Sequence, residues 1–305
     1  MKHIVIASDF SENSAKALEW ALNVARDINS EIKLTIMHCH LPVNDVVSMG
    51  FGVNYAGNFE VDEEEVKKGL LKDLKEQVEK ISNNLKTPLN SESISFEIKT
   101  GSPVNEITHY CQSTHADLLI LGLKGHSFLE KVFLGSIAEN LYRQCQCSIL
   151  GIHAESKLEL KTIFYPCDFH ASNQAAYKMA QDLQKAFNAK VFLYHVINPQ
   201  SVLSDIASKD TKILTIEEAL EKAKVLATDN LNLLACSFDS NVEVIVEKAM
   251  DLSAENHILE KSAQIKPDLI IVGSHQKKGF ERFFLGSTSD FLVRRSQSNI
   301  LVAKG

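Results

Sequence analysis

The chain has 305 residues, 45% of them apolar and 23% charged, which is too long for the usual single domain and excludes disordered, collagen-like and disulfide-framework classes. Its formal charge of −7 and pI near 5.9 give no basic footprint for DNA, RNA or an acidic membrane surface. There is no apolar run of about 18 residues and no signal-peptide pattern in MKHIVIASDF, and the six cysteines lack regular spacing, so a cytoplasmic protein in a reducing compartment is expected.

In chain order, IVIA (4–7) reads as a short buried strand running into Ser8, Asp9 and Phe10. Leu18, Ala21, Leu22, Ala25 and Ile28 then recur at helical steps behind the cap candidates Ser11 to Ser14. IKLTIMHCH (32–40) is a second strand. After an irregular stretch, Val66, Leu70, Leu74, Val78, Ile81 and Leu85 form the cleanest helical stripe, opened by three glutamates at 63 to 65 that suit a helix N-terminus. ISFEIK (94–99), a short helix after Ser102-Pro103, DLLILG (117–122), a glycine-bearing loop, a helix from Ser136 and SILGIH (148–153) complete the first half. Strict alternation of strand and helix predicts a parallel sheet with helices on both faces.

The second half repeats the order: TIFYPCDF (162–169), a helical face of Ala176, Met179, Ala180, Leu183 and Phe187, KVFLYHVI (190–197), a helix over 216–234, VEVIVEK (242–248), a helix around 254–265, DLIIVGS (268–274) and NILVAK (299–304). The loop GLKGHSFLEKVFLGS (122–136) returns as GSHQKKGFERFFLGS (273–287), 151 positions on. Asp9 corresponds to Asp168 and His38 to His195. The boundary falls in the charged connector 154–161, giving an α/β chain of two tandem doubly wound, Rossmann-like domains, residues 1–155 and 160–305.

In such a sheet a ligand binds beyond the carboxyl ends of the strands, where strand order reverses. If the first and fourth strands are neighbours, Asp9, the glycine loop and the start of the following helix surround one crevice. Gly135 and Ser136 then sit at a helix N-terminus suited to phosphate, Gly122 and Gly125 let the chain curl beneath it, and Asp9 can accept from ribose hydroxyls. Asp9 and Asp168 also suit a helix-capping role. His126 and His275 read as solvated loop residues, and no residue is expected to be catalytic. Neither His38-Cys39-His40 nor Cys145-Gln-Cys147 has C-x2-C spacing, and successive strand residues diverge, so no metal site is expected. The apolar residues Met49, Phe51, Tyr55 and Phe59 in the stretch 43–59 suggest a lid or partner surface.

Gly122-x2-Gly125-x9-Gly135-Ser136 behind ADLLIL, the opening strand with Ser-Asp-Phe-Ser, Met-His-Cys after strand two and Thr-Gly-Ser-Pro after strand three resemble the universal stress protein family, once per half. The resemblance implies five-stranded parallel sheets of order 3-2-1-4-5 and a stress-response or regulatory role. It also implies ATP or another adenine nucleotide, with Mg²⁺, in the first half. Ala7, Cys39 and Leu121 would lie near adenine and Asp9 near the nucleoside. Gly122, Gly125, Gly135 and Ser136 would hold ribose and phosphates, with Ser8, His126 and Ile137 completing the set. The second half puts Gln276 at the second glycine and Lys248-Ala-Met-Asp after its third strand, so Asp168, Gly273, Gly286 and Ser287 form a weaker site. No Walker lysine follows either loop, which limits hydrolysis to a slow rate at most. The Ser-Gly-Gly-x-Asp-Ser and His-x-Gly-His signatures of adenylating enzymes are missing as well. The alternative is a nucleotide-free tandem scaffold whose clefts hold another small or lipid-like molecule or a protein partner. The resemblance further implies an intrachain pseudo-dimer paired through the last strands, leaving a homodimer open.

Overall fold

The computed structural model describes residues 1–28, 32–42, 62–84, 93–123, 135–169, 173–200, 202, 215–249, 253–274 and 285–305. Among them the chain divides between Leu158 and Glu159 into two compact units. The first contains β1 (His3–Ser8), α1 (Glu12–Ile28), β2 (Lys33–His40), α2 (Glu63–Asn83), β3 (Ile94–Thr100), α3 (Pro103–Ser113), β4 (Leu118–Leu123), α4 (Ser136–Gln144) and β5 (Ser148–His153). Its strands are parallel in the order β3-β2-β1-β4-β5. The second contains β6 (Thr162–Pro166), α5 (Gln174–Phe187), β7 (Lys190–Ile197), α6 (Ile216–Ala235), β8 (Val242–Lys248), α7 (Ala254–Ile265), β9 (Leu269–Gly273), α8 (Ser287–Arg295) and β10 (Asn299–Ala303). Its order, β8-β7-β6-β9-β10, is the same winding. The expected fold class is therefore what the chain adopts.

Each central strand is buried on both faces, which is why it reads as an unbroken apolar run: Ile4, Val5 and Ile6 have no exposed surface. Leu18, Ala21 and Leu22 of α1 close over the sheet, as the helical spacing predicted. In α2 only Leu74 and Val78 of the stripe are buried, while Val66, Leu70 and Ile81 stay half-exposed. That helix packs on β3, an edge strand of its unit, where less of the helix can be covered. Asp62 caps α2 by accepting from the backbone N–H of Glu64 at 2.9 Å, and the acidic triplet occupies its first turn.

One carboxylate fixes the start of each unit. Asp117 accepts from the N–H groups of Lys2 and His3 at 2.6 and 2.9 Å. Asp268 does the same for Lys161 and Thr162, both at 2.9 Å. Each ties the strand after the third helix to the strand that opens the unit. The outer strands carry charge: Lys99 pairs with Glu97 at 3.3 Å on β3, and on β8 Glu243 pairs with Lys190 at 2.7 Å and Glu247 with Lys261. No helix among the described residues is long and apolar enough to cross a membrane.

Candidate functional site

β1 lies between β2 and β4, so the chain leaves β1 toward one side of the sheet and returns to it from the other. In sheets of this winding such a reversal marks the ligand crevice beyond the carboxyl ends, where Asp9 was expected. Asp9 follows β1 and accepts from the Ser11 N–H at 3.0 Å and from its hydroxyl. Burial pushes its carboxyl up, but the bonds from Ser11 and Ser14 outweigh that and hold it below the ordinary value. Ser11, not Asp9, supplies the helix cap, accepting from the Ser14 N–H at 3.2 Å. Asp9 is thus exposed and ionised beside the crevice.

The next residue, Phe10, has a left-handed backbone with φ 61°, and its counterpart Phe169 has φ 58°. An aromatic residue there costs about 1–3 kcal/mol and persists only where neighbours hold it. His38 and His195 are those neighbours. Each packs against its phenylalanine with the rings tilted and their centroids 4.6 Å apart. Each also donates from Nδ1 to the carbonyl of the residue before the aspartate, Ser8 or Cys167, at 2.7 Å. A carbonyl can only accept, so Nδ1 carries the proton. Burial lowers the pKa of both rings. The sequence showed the two histidines in equivalent places, and that equivalence was the only signal of this strap.

Gly122, next to last in β4, lies under the first turn of α1: a Cβ built on it would lie 2.4 Å from the backbone carbon of Asn13 and 2.7 Å from the nitrogen of Ser14. The missing side chain is therefore used by helix-to-strand packing. Leu121 is buried, Ala7 and Cys39 are half-buried, and Ser8 is buried. The Cys39 thiol is pushed up to about 12, by burial first and by Glu106 second, which leaves it a neutral, unreactive wall. Gly135 is the N-cap of α4, without a side-chain cap bond, and Ser136 and Ile137 are exposed in its first turn. Among the described residues no side chain caps that turn, and uncapped N–H groups at a helix start suit an anion such as phosphate. Gly125 and His126 lie outside the described residues, as do His275, Gln276 and the stretch 43–59.

The second unit has the same frame with its crevice filled. Asn173 donates to Asp168 Oδ1, and its amide oxygen lies where a Cβ on Gly273 would fall. The corresponding residue of the first unit is the smaller Ser14. Glu255, which stands where the first unit has Val104, accepts from the hydroxyls of Ser287 and Thr288 at 3.3 and 3.4 Å. A carboxylate thus already sits at the α8 N-terminus that begins after Gly286. The cavity left among Asp168, Asn173, His195, Gly273 and Ser289 is about 120 Å³, below the roughly 300–1,000 Å³ of small-molecule sites. Sequence reading singled out Gln276 in this loop but not Asn173 or Glu255. A larger cavity of about 730 Å³ opens elsewhere in this unit, lined by Phe169, Tyr177, Leu233 and Leu234.

The model of the universal stress protein family matches residues 1–153 and again 159–304. The universal stress protein MJ0531 of Methanocaldococcus jannaschii is 30% identical over 156 residues, covering 51% of this chain and 84% of its own. A universal stress protein of Mycolicibacterium smegmatis is 23% identical over 306 residues, 99% of this chain and 96% of that one. Among solved structures, a universal stress protein from Archaeoglobus fulgidus superposes with a TM-score of 0.65 at 20% identity, over 99% of this chain and 98% of the other.

Proposed function

The chain belongs to the universal stress protein family, once in each half, and from that premise we propose that its first half binds ATP or another adenine nucleotide, with Mg²⁺, as a cytoplasmic stress regulator. The observation that carries the reading is the uncapped α4 N-terminus at Gly135-Ser136 in the unit whose strand order reverses beside Asp9. Asp9 would accept from the ribose, and Ser8 and the backbone of Ala7, Cys39 and Leu121 would border adenine. The first turn of α4 with Ile137, closed by Gly122, Gly125 and His126, would take the phosphates. The chain's part is to bind and orient, since neither loop has a Walker lysine, and hydrolysis is at most slow.

The second half is read as unable to hold a nucleotide in this manner, because Asn173 and Glu255 stand where ligand groups would go. A second reading, a nucleotide-free scaffold whose clefts take another small or lipid-like molecule, draws on the 730 Å³ cavity. Thermal shift of the whole chain with ATP, ADP, AMP and GTP, with and without Mg²⁺, separates the two. A nucleotide at a hundred times its Kd stabilises by about 2.7 kcal/mol, and Gly125→Gln, which copies the second half, removes the shift. No shift with any nucleotide would overturn the nucleotide reading.

A further inference from the structure

Three cysteines of the first unit gather at the amino-terminal end of its sheet, opposite the crevice. Cys111 lies in the last turn of α3, Cys145 directly follows α4, and Cys147 directly precedes β5. Their sulfur atoms lie within 4.8 Å of one another, and those of Cys145 and Cys147 are 3.3 Å apart. Cys111 and Cys145 are 2% and 0% exposed, and Cys147 is partly exposed.

The second unit repeats this frame with oxygen in place of sulfur. Ser262, Ser296 and Ser298 each stand 151 positions after the matching cysteine, and RQCQCSIL becomes RRSQSNIL. Ser262 donates to the Leu259 carbonyl at 2.7 Å, and Ser296 to the Ser298 carbonyl at 3.1 Å. The fold thus asks only for small polar side chains here, and serine meets that need with stronger hydrogen bonds than a thiol makes. Sulfur in all three places is not required by packing, and what three thiols add is affinity for a soft cation.

We propose that Cys111, Cys145 and Cys147 bind one thiophilic d10 metal ion, Cu(I), as three thiolates. Ligands about 2.3 Å from a shared trigonal ion sit about 4 Å apart, inside the 4.8 Å within which all three sulfurs lie, with Cys145 and Cys147 already at 3.3 Å. Structural Zn²⁺ takes four ligands, and among the described residues no fourth His, Cys, Asp or Glu joins the group. Cu(I) accepts three. Loading forms three Cu–S bonds and breaks three S–H bonds, releasing three protons to solvent. Copper enters and stays as Cu(I), so no oxidant or reductant is consumed.

The test uses the full chain, reduced and free of oxygen, titrated with Cu(I) against a chromophoric Cu(I) chelator. The ultraviolet copper–thiolate absorption reports occupancy. The comparison is Cys111→Ser/Cys145→Ser/Cys147→Ser, which installs the second unit's own residues, with circular dichroism to check the fold. The wild type should hold one equivalent of Cu(I) that the triple variant loses, while Cys236→Ser keeps it. If the triple variant does not fold, Cys145→Ser carries the same comparison. Equal uptake by wild type and variant, or uptake by neither, overturns the site. One equivalent of Zn²⁺ lost in the variant, with no Cu(I) lost, overturns the three-coordinate assignment.

Discussion

His38 donates from Nδ1 to the Ser8 carbonyl whether its ring is neutral or protonated, so what protonation adds is a charge on a partly buried ring. Burial is the leading cause that lowers its pKa from the ordinary 6.5, and the nearby His40 adds to it. The Ser8 carbonyl and the Asp9 carboxylate oppose them without cancelling the shift. The folded chain therefore binds this proton less readily than the unfolded chain does. The stability so gained is fully present above the ordinary histidine value and is lost as pH falls toward and through the folded one. His3 and His195 shift in the same direction, again chiefly through burial. Urea midpoints should accordingly fall on acidification from about pH 7 to about pH 5. His38→Gln, which keeps a donor but cannot titrate, should flatten part of that fall. Identical slopes in the two proteins would remove His38 from the account.

At the scale of elements, the packing of α1 on β4 depends on a missing side chain. Gly122→Ala places a methyl group 2.4 to 2.7 Å from the backbone of Asn13 and Ser14, and backbone in a packed helix cannot step aside. The cost should be about 1–3 kcal/mol by urea unfolding. Gly273→Ala meets chiefly the side chain of Asn173, which can swing away, so its loss should be the smaller of the two. A reversed ranking would show that these glycines are not set by helix packing. The strands and helices themselves were legible, because a sheet covered on both faces writes unbroken apolar runs and its helices write a stripe. For the candidate crevice, type and place in the sequence pointed to Asp9 and Gly135, and the structure puts one directly after β1 and the other at the start of α4. What eluded the sequence depends on side-chain reach. Asn173 matters because its amide spans from Asp168 to Gly273, and Glu255 because α7 carries it to the start of α8. Cys111 is separated from Cys145 by a strand and a helix, so Cys145-Gln-Cys147 alone looked incidental.

For the whole molecule, the two units repeat their winding, their aspartate clamps and their histidine straps, and differ where chemistry would occur. Each should therefore fold alone. Fragments cut between Leu158 and Glu159 should both give cooperative thermal unfolding, with a nucleotide-dependent shift in the first fragment and none in the second. A shift confined to the second fragment would reverse the functional assignment, and a non-cooperative first fragment would refute its independence. The duplication also bears on how the protein survives at high concentration. Among the described residues β3 and β8 each pair with a strand on one side only, and an unpaired strand is a template on which another chain can polymerise. The ionic side chains Glu97 and Lys99 on one, and Glu243, Glu247 and Lys248 on the other, would have to be stripped of water before a foreign strand could dock. The same charges that look like ordinary surface decoration thus act as guards against fibre growth.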